Sequence, residues 1–276
     1  MRPGGLLCYD TAILFGGGII LELRRAFDAD AANYDRFRPG YPPELFAEIV
    51  RYSGLGAGSR ALEIGLGTGQ ATVPILRTGC RVTAVELGEN LCRFAREKFG
   101  DERRLTIVNG DFNTVPLEKG AYDLIYCATA FHWLAPEEAY PKVLSVLKPG
   151  GTLALFWNHP FPNREGDPSN EINRAVYAKY RPSDEKVREF TEGDCEKWRS
   201  ELKTFGFRAI VSKVYRRTRT LSSDDYIGLL NTYSDHCVME PAAKAAFERE
   251  MKANLDRNGG SIRIYDTIDL YLAHRP

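Results

Sequence analysis

Ala61-Leu62-Glu63-Ile64-Gly65-Leu66-Gly67-Thr68-Gly69 constrains this chain more than any other stretch. A short apolar, β-prone run, Arg60 to Ile64, breaks into three glycines at alternate positions, and helix-forming residues follow from Ala71. Glycines at a strand-to-helix turn let the backbone bend tightly and let a ligand lie against main-chain N–H groups at the helix start. The order is G-x-G-x-G with Gln at position 70, whereas a dinucleotide fingerprint asks for a closing glycine there. A plain strand-to-helix turn is the blander alternative.

The alternation around the loop supports a parallel sheet. Tyr41-Pro42-Pro43-Glu44 opens a helix that ends near Gly54, and Arg81 to Glu86, Leu105 to Val108, Tyr122 to Cys127 and Thr152 to Trp157 read as strands. Glu89 to Phe99 and Pro136 to Leu147 read as helices, the second stopped by Lys148-Pro149-Gly150-Gly151. Five apolar strands separated by helices imply a sheet covered on both faces. Beyond residue 158 the rhythm changes. Asn158 to Gly206 is polar and mainly helical, with Ile172, Ala175 and Val176 as one stripe. Phe207 to Thr220 and Ser261 to His274 are long strands, and the helix over Pro241 to Asp256 carries Phe247, Met251 and Leu255 on one face. Two late strands suggest an antiparallel pair at the sheet edge. The expected organisation is a leader over residues 1–25 and one domain over 26–276, with a cofactor half at about 55–158 and insertions at about 159–206 and 221–258.

Composition excludes several classes. Lys plus Arg and Asp plus Glu are 37 each, which argues against a polyanion-binding surface over the whole molecule and leaves only a local basic patch open. The six cysteines and four histidines are scattered without zinc spacing, so neither a metal nor a disulfide framework is expected. Scattered thiols suit a reducing compartment, and the localisation expected is cytoplasmic. Ala12 to Leu23 is apolar, but Gly16-Gly17-Gly18 and Glu22 interrupt it, so it falls short of a membrane span. Only Arg2 precedes it, a poor flank for a signal peptide.

Two acids at strand ends add weight to the glycine loop. Glu86 ends the second strand, 19 residues after Gly67, where a carboxylate can accept both ribose hydroxyls. Asp111, in Asn109-Gly110-Asp111-Phe112, ends the third, where an acid and an aromatic can meet an adenine. Each alone reads better as a solvated loop acid; it is the three features at successive strand ends that point to a ligand.

Together these residues resemble the class I S-adenosylmethionine-dependent methyltransferases, in particular the small-molecule type 11 branch that includes trans-aconitate methyltransferase-like proteins. The resemblance rests on Leu62 to Thr72, Glu86, Gly110-Asp111-Phe112, Ala130-Phe131-His132-Trp133, Leu147 to Gly151 and the segment Phe27 to Pro42. It covers roughly residues 27–160, and residues 1–25 match nothing in it. It implies an α/β, Rossmann-like fold: a seven-stranded, mostly parallel sheet with a terminal antiparallel hairpin and helical insertions. It also implies S-adenosylmethionine as cofactor and a small-molecule acceptor methylated on oxygen, nitrogen or carboxyl. A tRNA or protein acceptor stays open, but the neutral charge and the lack of an appended basic domain argue against it, and no membrane partner is expected. On this resemblance Gly65, Gly67 and Gly69 line the methionine moiety and Glu63 orders their loop. Glu86, with Leu87 beside it, takes the ribose, and Asp111 with Phe112 frames the adenine. Thr129 and Phe131 flank the sulfonium. Tyr34 and Arg38 cover the cofactor, unless Arg38-Pro39 only orders the entry of the first helix.

His132 is the candidate catalytic residue, as a general base if the acceptor still carries its proton. The alternative is a ring that packs beside Trp133 and hydrogen-bonds a loop carbonyl. Tyr233, His236 and Arg164 are candidate acceptor-wall residues. Asn158-His159-Pro160-Phe161 looks like the N-P-P-F/Y loop of nucleic-acid amino-methyltransferases. It follows the fifth strand instead of the fourth, and reads better as a turn leaving the sheet. An NAD(P)-dependent oxidoreductase and a non-catalytic S-adenosylmethionine-binding protein are the competing classes.

Overall fold

The structure is a computed structural model that describes residues 27, 28, 30–183 and 187–276. The expected leader over 1–25 lies outside the described residues. The elements run α1 (Ala31–Phe37), α2 (Pro43–Ser53), β1 (Arg60–Ile64), α3 (Thr72–Leu76), β2 (Arg81–Glu86), α4 (Glu89–Phe99), β3 (Leu105–Asn109) and β4 (Tyr122–Ala128). A 3₁₀ turn, Phe131–Trp133, then precedes α5 (Pro136–Val146), β5 (Leu147–Phe161) and α6 (Pro168–Tyr180). After a second 3₁₀ turn, Glu192–Cys195, come α7 (Glu196–Thr204), β6 (Arg208–Ser222), α8 (Ser223–Leu230), α9 (Ser234–Cys237), α10 (Pro241–Arg257) and β7 (Ser261–His274).

The strands form one seven-stranded sheet in the order β3-β2-β1-β4-β5-β7-β6. β1 pairs in parallel with β2 on one side and with β4 on the other. The chain therefore winds outward from β1 in one direction and returns to start β4 on its other flank. The crevice beyond the carboxyl ends of β1 and β4 is the place where such sheets bind ligands. Gly150 N–H donates to the Arg275 carbonyl (3.1 Å) and Arg275 N–H to the Gly151 carbonyl (2.8 Å), so the chain returns antiparallel beside the start of β5.

Residues cluster into two compact units. The first comprises the segments up to Arg38, His159–Phe190 and Arg216–Thr267, and the second Pro39–Asn158, Thr191–Tyr215 and Ile268–Pro276. Each has its own apolar core. In the second unit Leu45 and Ile49 of α2 pack with Ala61, Val82, Leu124, Ala154, Phe156 and Leu270 of the strands. Burial on both faces explains the near-continuous apolar strands read from the sequence. In the first unit Phe247, Met251 and Leu255 of α10 are fully buried with Tyr226, Leu229 and Ile264, so the predicted i, i+4, i+8 face is the buried one.

One local expectation is incomplete and two fail, each for a physical reason. Lys148-Pro149-Gly150-Gly151 does more than stop a helix: it belongs to β5, because its backbone pairs with Arg275 at the far end of the chain. The extra residues appear as a register shift, Tyr122 opposite Leu147 but Leu124 opposite Thr152. Asn158 to Phe161 continues the same strand and is no turn leaving the sheet. On α6 the buried residues are Asn170, Asn173 and Val176, while Ala175 is exposed. Polar anchors set that face: Asn170 Nδ2 donates to the Arg263 carbonyl (2.8 Å), and Asn173 Oδ1 accepts from Tyr226 Oη (2.6 Å).

Candidate functional site

β1 ends at Ile64, opposite Val85 and one residue short of the end of β2, and the glycine loop begins at once. Gly65, Gly67 and Gly69 have φ of 75°, 57° and 91°, a left-handed region that only glycine enters without strain. A Cβ on Gly65 would lie 2.8 Å from the Cβ of Ala130, just beyond β4, and one on Gly69 would lie 2.5 Å from the ring of Phe99. At Gly65 and Gly69 the loop is thus pressed against neighbours that a side chain there would crowd.

Glu86 ends β2 and fastens this loop. Its Oε2 accepts the Gly67 N–H at 2.8 Å and its Oε1 accepts the Gly88 N–H at 2.9 Å. Glu86 is 7% exposed, a buried acid at the strand end. Asn109 Nδ2 donates to the carbonyls of Glu86 (3.0 Å) and Leu87 (3.1 Å), so the turn after β2 is tied to the end of β3. Asp111 follows, its Oδ1 accepting the Asn113 N–H (2.9 Å) in a tight turn. The ring of Phe112 is buried, with the Lys142 ammonium 5.2 Å from its centroid.

Glu63 lies beneath the loop, 1% exposed. Its Oε2 accepts from Thr72 Oγ1 (2.6 Å) and Tyr126 Oη (2.9 Å), and its Oε1 is buried without a hydrogen-bond partner. Burial raises its pKa from 4.5 to about 8; the two hydroxyl donors pull the other way, and the nearby Glu86 adds to the rise. A neutral acid is the form this environment favours at pH 7.

Beyond β4, Thr129 takes φ 54°, and its hydroxyl bonds Tyr41 Oη at 2.7 Å. Phe131 is 2% exposed and packs on Tyr140, ring centroids 5.0 Å apart. His132 sits in the 3₁₀ turn with its ring 4.9 Å from that of Trp133, as the packing alternative expects, but its observed bond is not to a loop carbonyl. Trp157 Nε1 of β5 donates to His132 Nδ1 at 2.9 Å.

The sequence-predicted residues of the second unit therefore gather at the carboxyl ends of β1, β2, β3 and β4. Tyr34 and Arg38 belong to the first unit, where Arg38 Nη2 donates to the Thr232 carbonyl (2.6 Å) and the guanidinium lies 5.1 Å from the Tyr34 ring and 4.8 Å from that of Tyr233. In the same unit Arg164 pairs with both carboxylate oxygens of Glu189 and lies 3.6 Å from the Tyr265 ring centroid. His236 is 1% exposed, its Nε2 2.7 Å from Tyr177 Oη, and burial lowers its pKa to about 4.

Sequence reasoning missed Tyr41, Asn109 and Trp157. Tyr41 was visible as a helix opener and as one letter of the Phe27 to Pro42 segment, and Asn109 as one letter of the Asn-Gly-Asp-Phe run. Trp157 was visible only as the last residue of a strand, since the partner that gives it a role is 25 residues away. Among the described residues no cluster of His, Cys, Asp or Glu could hold a metal, and no helix is long and apolar enough to cross a membrane.

Comparison with known proteins agrees with this geometry. The family described as "Methyltransferase domain" matches residues 62–155, from the start of the glycine-loop motif to the middle of β5. An uncharacterized methyltransferase of Schizosaccharomyces pombe is 34% identical over 135 residues, 49% of this chain and 53% of that protein. An uncharacterized methyltransferase of Geobacillus is 35% identical over 153 residues, 52% of this chain and 70% of that protein. The match spans about half the length of the first of these curated relatives. Among solved structures, a candidate type II methyltransferase from Anaeromyxobacter dehalogenans has a TM-score of 0.63 at 20% identity, covering 87% of this chain and 98% of that one, which shows the shared fold. With a relative matched over more than two thirds of its length and the glycine loop, Glu86 and Asp111 set at successive strand ends, the chain belongs to the methyltransferase domain family.

Proposed function

We propose that this chain transfers the methyl group of S-adenosylmethionine to a small-molecule acceptor. The observation that carries the reading is the Glu86 carboxylate bound to the Gly67 N–H beside β1. The cradle fits the cofactor's chemistry. Gly65 and Gly69 present main chain where a Cβ would collide, Glu86 sets a carboxylate at the end of β2, and Glu63 Oε1 is a buried polar atom with no hydrogen-bond partner. On this reading Gly65, Gly67 and Gly69 hold the methionine part, Glu86 and Leu87 the ribose, Asp111 and Phe112 the adenine, and Thr129 and Phe131 the sulfonium end. The cofactor supplies an electrophilic methyl whose bonding pair leaves with sulfur. The protein's task is to align the acceptor and exclude water.

The finer form of the proposal places the chain in the branch that includes trans-aconitate methyltransferase-like proteins, supported by the segment Phe27 to Pro42 and by Ala130 to Trp133. Calorimetric titration with S-adenosylmethionine and then NAD tests the cofactor; binding of NAD alone overturns the reading. Transfer of labelled methyl into a metabolite extract, followed by mass spectrometry of what gained it, tests activity and names the acceptor.

A further inference from the structure

The bond between Trp157 and His132 decides what the imidazole can do. An indole N–H only donates, so at 2.9 Å His132 Nδ1 must supply the lone pair. A neutral imidazole has one proton, which then sits on Nε2. The nitrogen opposite Trp157 is therefore a donor, and the ring's lone pair is already committed to the indole. Trp157 is itself fixed. It is 2% exposed and stacked on Trp198, with centroids 4.3 Å apart and planes 20° from parallel. Its main-chain N–H donates to Asp269 Oδ1 (3.1 Å), and the other oxygen of that carboxylate accepts from Tyr271 Oη (2.7 Å). Such a partner selects one tautomer in the way that second-shell carbonyls and carboxylates orient other histidines.

We infer that Trp157 is a positioning residue that holds His132 in its Nε2–H tautomer, so that His132 serves the acceptor as a hydrogen-bond donor and not as a general base. This rests on the methyl-transfer reading above and narrows its substrate class. The favoured acceptor presents a lone pair without first surrendering a proton to the protein. In the transfer, the carbon–sulfur bond breaks with its electron pair going to sulfur, the acceptor–carbon bond forms from the acceptor's own pair, and no proton moves to His132.

The test needs no acceptor at its first stage. Long-range ¹H–¹⁵N spectra of the full chain at neutral pH should show His132 with Nδ1 unprotonated and Nε2 protonated; a proton on Nδ1 overturns the inference. Trp157→Phe should relax this into a tautomer mixture, and an unchanged spectrum in the folded variant removes Trp157 from the role. The second stage is labelled-methyl transfer into a metabolite extract. His132→Gln keeps an N–H near the Nε2 position and has no basic nitrogen, so it should stay within about tenfold of the parent. His132→Ala loses the donor and should fall further. If His132→Gln and His132→Ala both lose the roughly 10²–10⁴-fold expected for a missing general base, the donor role is wrong. Failure of the methyl-transfer reading is seen separately, as absence of S-adenosylmethionine binding in the parent chain.

Discussion

Tyr41 Oη bonds Thr129 Oγ1 at 2.7 Å, and Thr129 is one of two described non-glycine residues with a positive φ. A β-branched residue in that region is a true outlier, and such strain persists only where neighbours over-determine it. Tyr41 is one such neighbour, its ring edge-on to Phe156 at 4.8 Å; the Thr129 N–H to the Phe156 carbonyl (2.8 Å) is another. The residue leaving β4 is thus held bent at the mouth of the crevice.

Relieving that bend should separate stability from binding. Thr129→Gly releases about 1–3 kcal/mol of strain. It also loses a hydrogen bond of about 1 kcal/mol and adds about 0.5–1 kcal/mol of backbone entropy cost. Urea unfolding should therefore change little, while affinity for S-adenosylmethionine falls because the loop is no longer fixed. A loss of more than about 3 kcal/mol would show that the conformation is unstrained.

Glu86→Ala should weaken both fold and cofactor. It strips two main-chain N–H groups, those of Gly67 and Gly88, of their acceptor, each at about 1–3 kcal/mol when buried. It also removes the proposed ribose acceptor, so affinity should drop about tenfold or more, as the loss of charge-assisted bonds implies. Calorimetry on the folded variant checks the second effect and thermal unfolding the first. Unchanged affinity would take Glu86 out of the cofactor site.

The buried Glu63 makes stability depend on pH. Its pKa is about 8 when folded and ordinarily 4.5, so between those values the folded protein keeps a proton that the unfolded chain releases. The stabilisation is complete below pH 4.5 and is lost as pH rises through about 8. Glu63→Gln retains an acceptor for Thr72 and Tyr126 and cannot ionise. Denaturant titrations at pH 5, 6.5 and 8 should show the parent losing stability relative to Glu63→Gln with each step. Parallel curves for the two proteins would place the Glu63 pKa in the ordinary range.

Gly228 is a packing constraint in the first unit. A Cβ there would lie 2.5 Å from the Phe37 ring, so α1 and α8 meet where no side chain fits. Gly228→Ala should cost about 1–3 kcal/mol by overpacking, unless α1 shifts outward. The melting temperature reports the cost, and limited proteolysis near Phe37 reports the shift. An unaltered melting temperature and cleavage pattern would mean that the ring moves freely aside.

Local chemistry was legible. The bounds of β1, β2, α4 and β7 follow from apolar or amphipathic runs and the residues that flank them, because burial and turn residues act within a few positions. The glycine loop, Glu86 and Asp111 were found because a ligand-binding turn imposes residue types at fixed intervals. What escaped was set by partners far along the chain. Arg275 turns a helix stop into strand, Arg263 and Tyr226 decide which face of α6 is buried, and Trp157 selects the tautomer of His132. No periodicity encodes a hydrogen bond across 93 residues.

The interleaving of the two units bears on how the chain folds during synthesis. The second unit draws its last segment from Ile268–Pro276, and the first is assembled from pieces on either side of Pro39–Asn158. A ribosome adding about 5–20 residues per second therefore exposes β1 to β4 well before β7 arrives. The long separations slow closure of the native sheet. Neither unit can be produced as one continuous fragment, and the open flank of β5 must be shielded until residues 268–276 emerge.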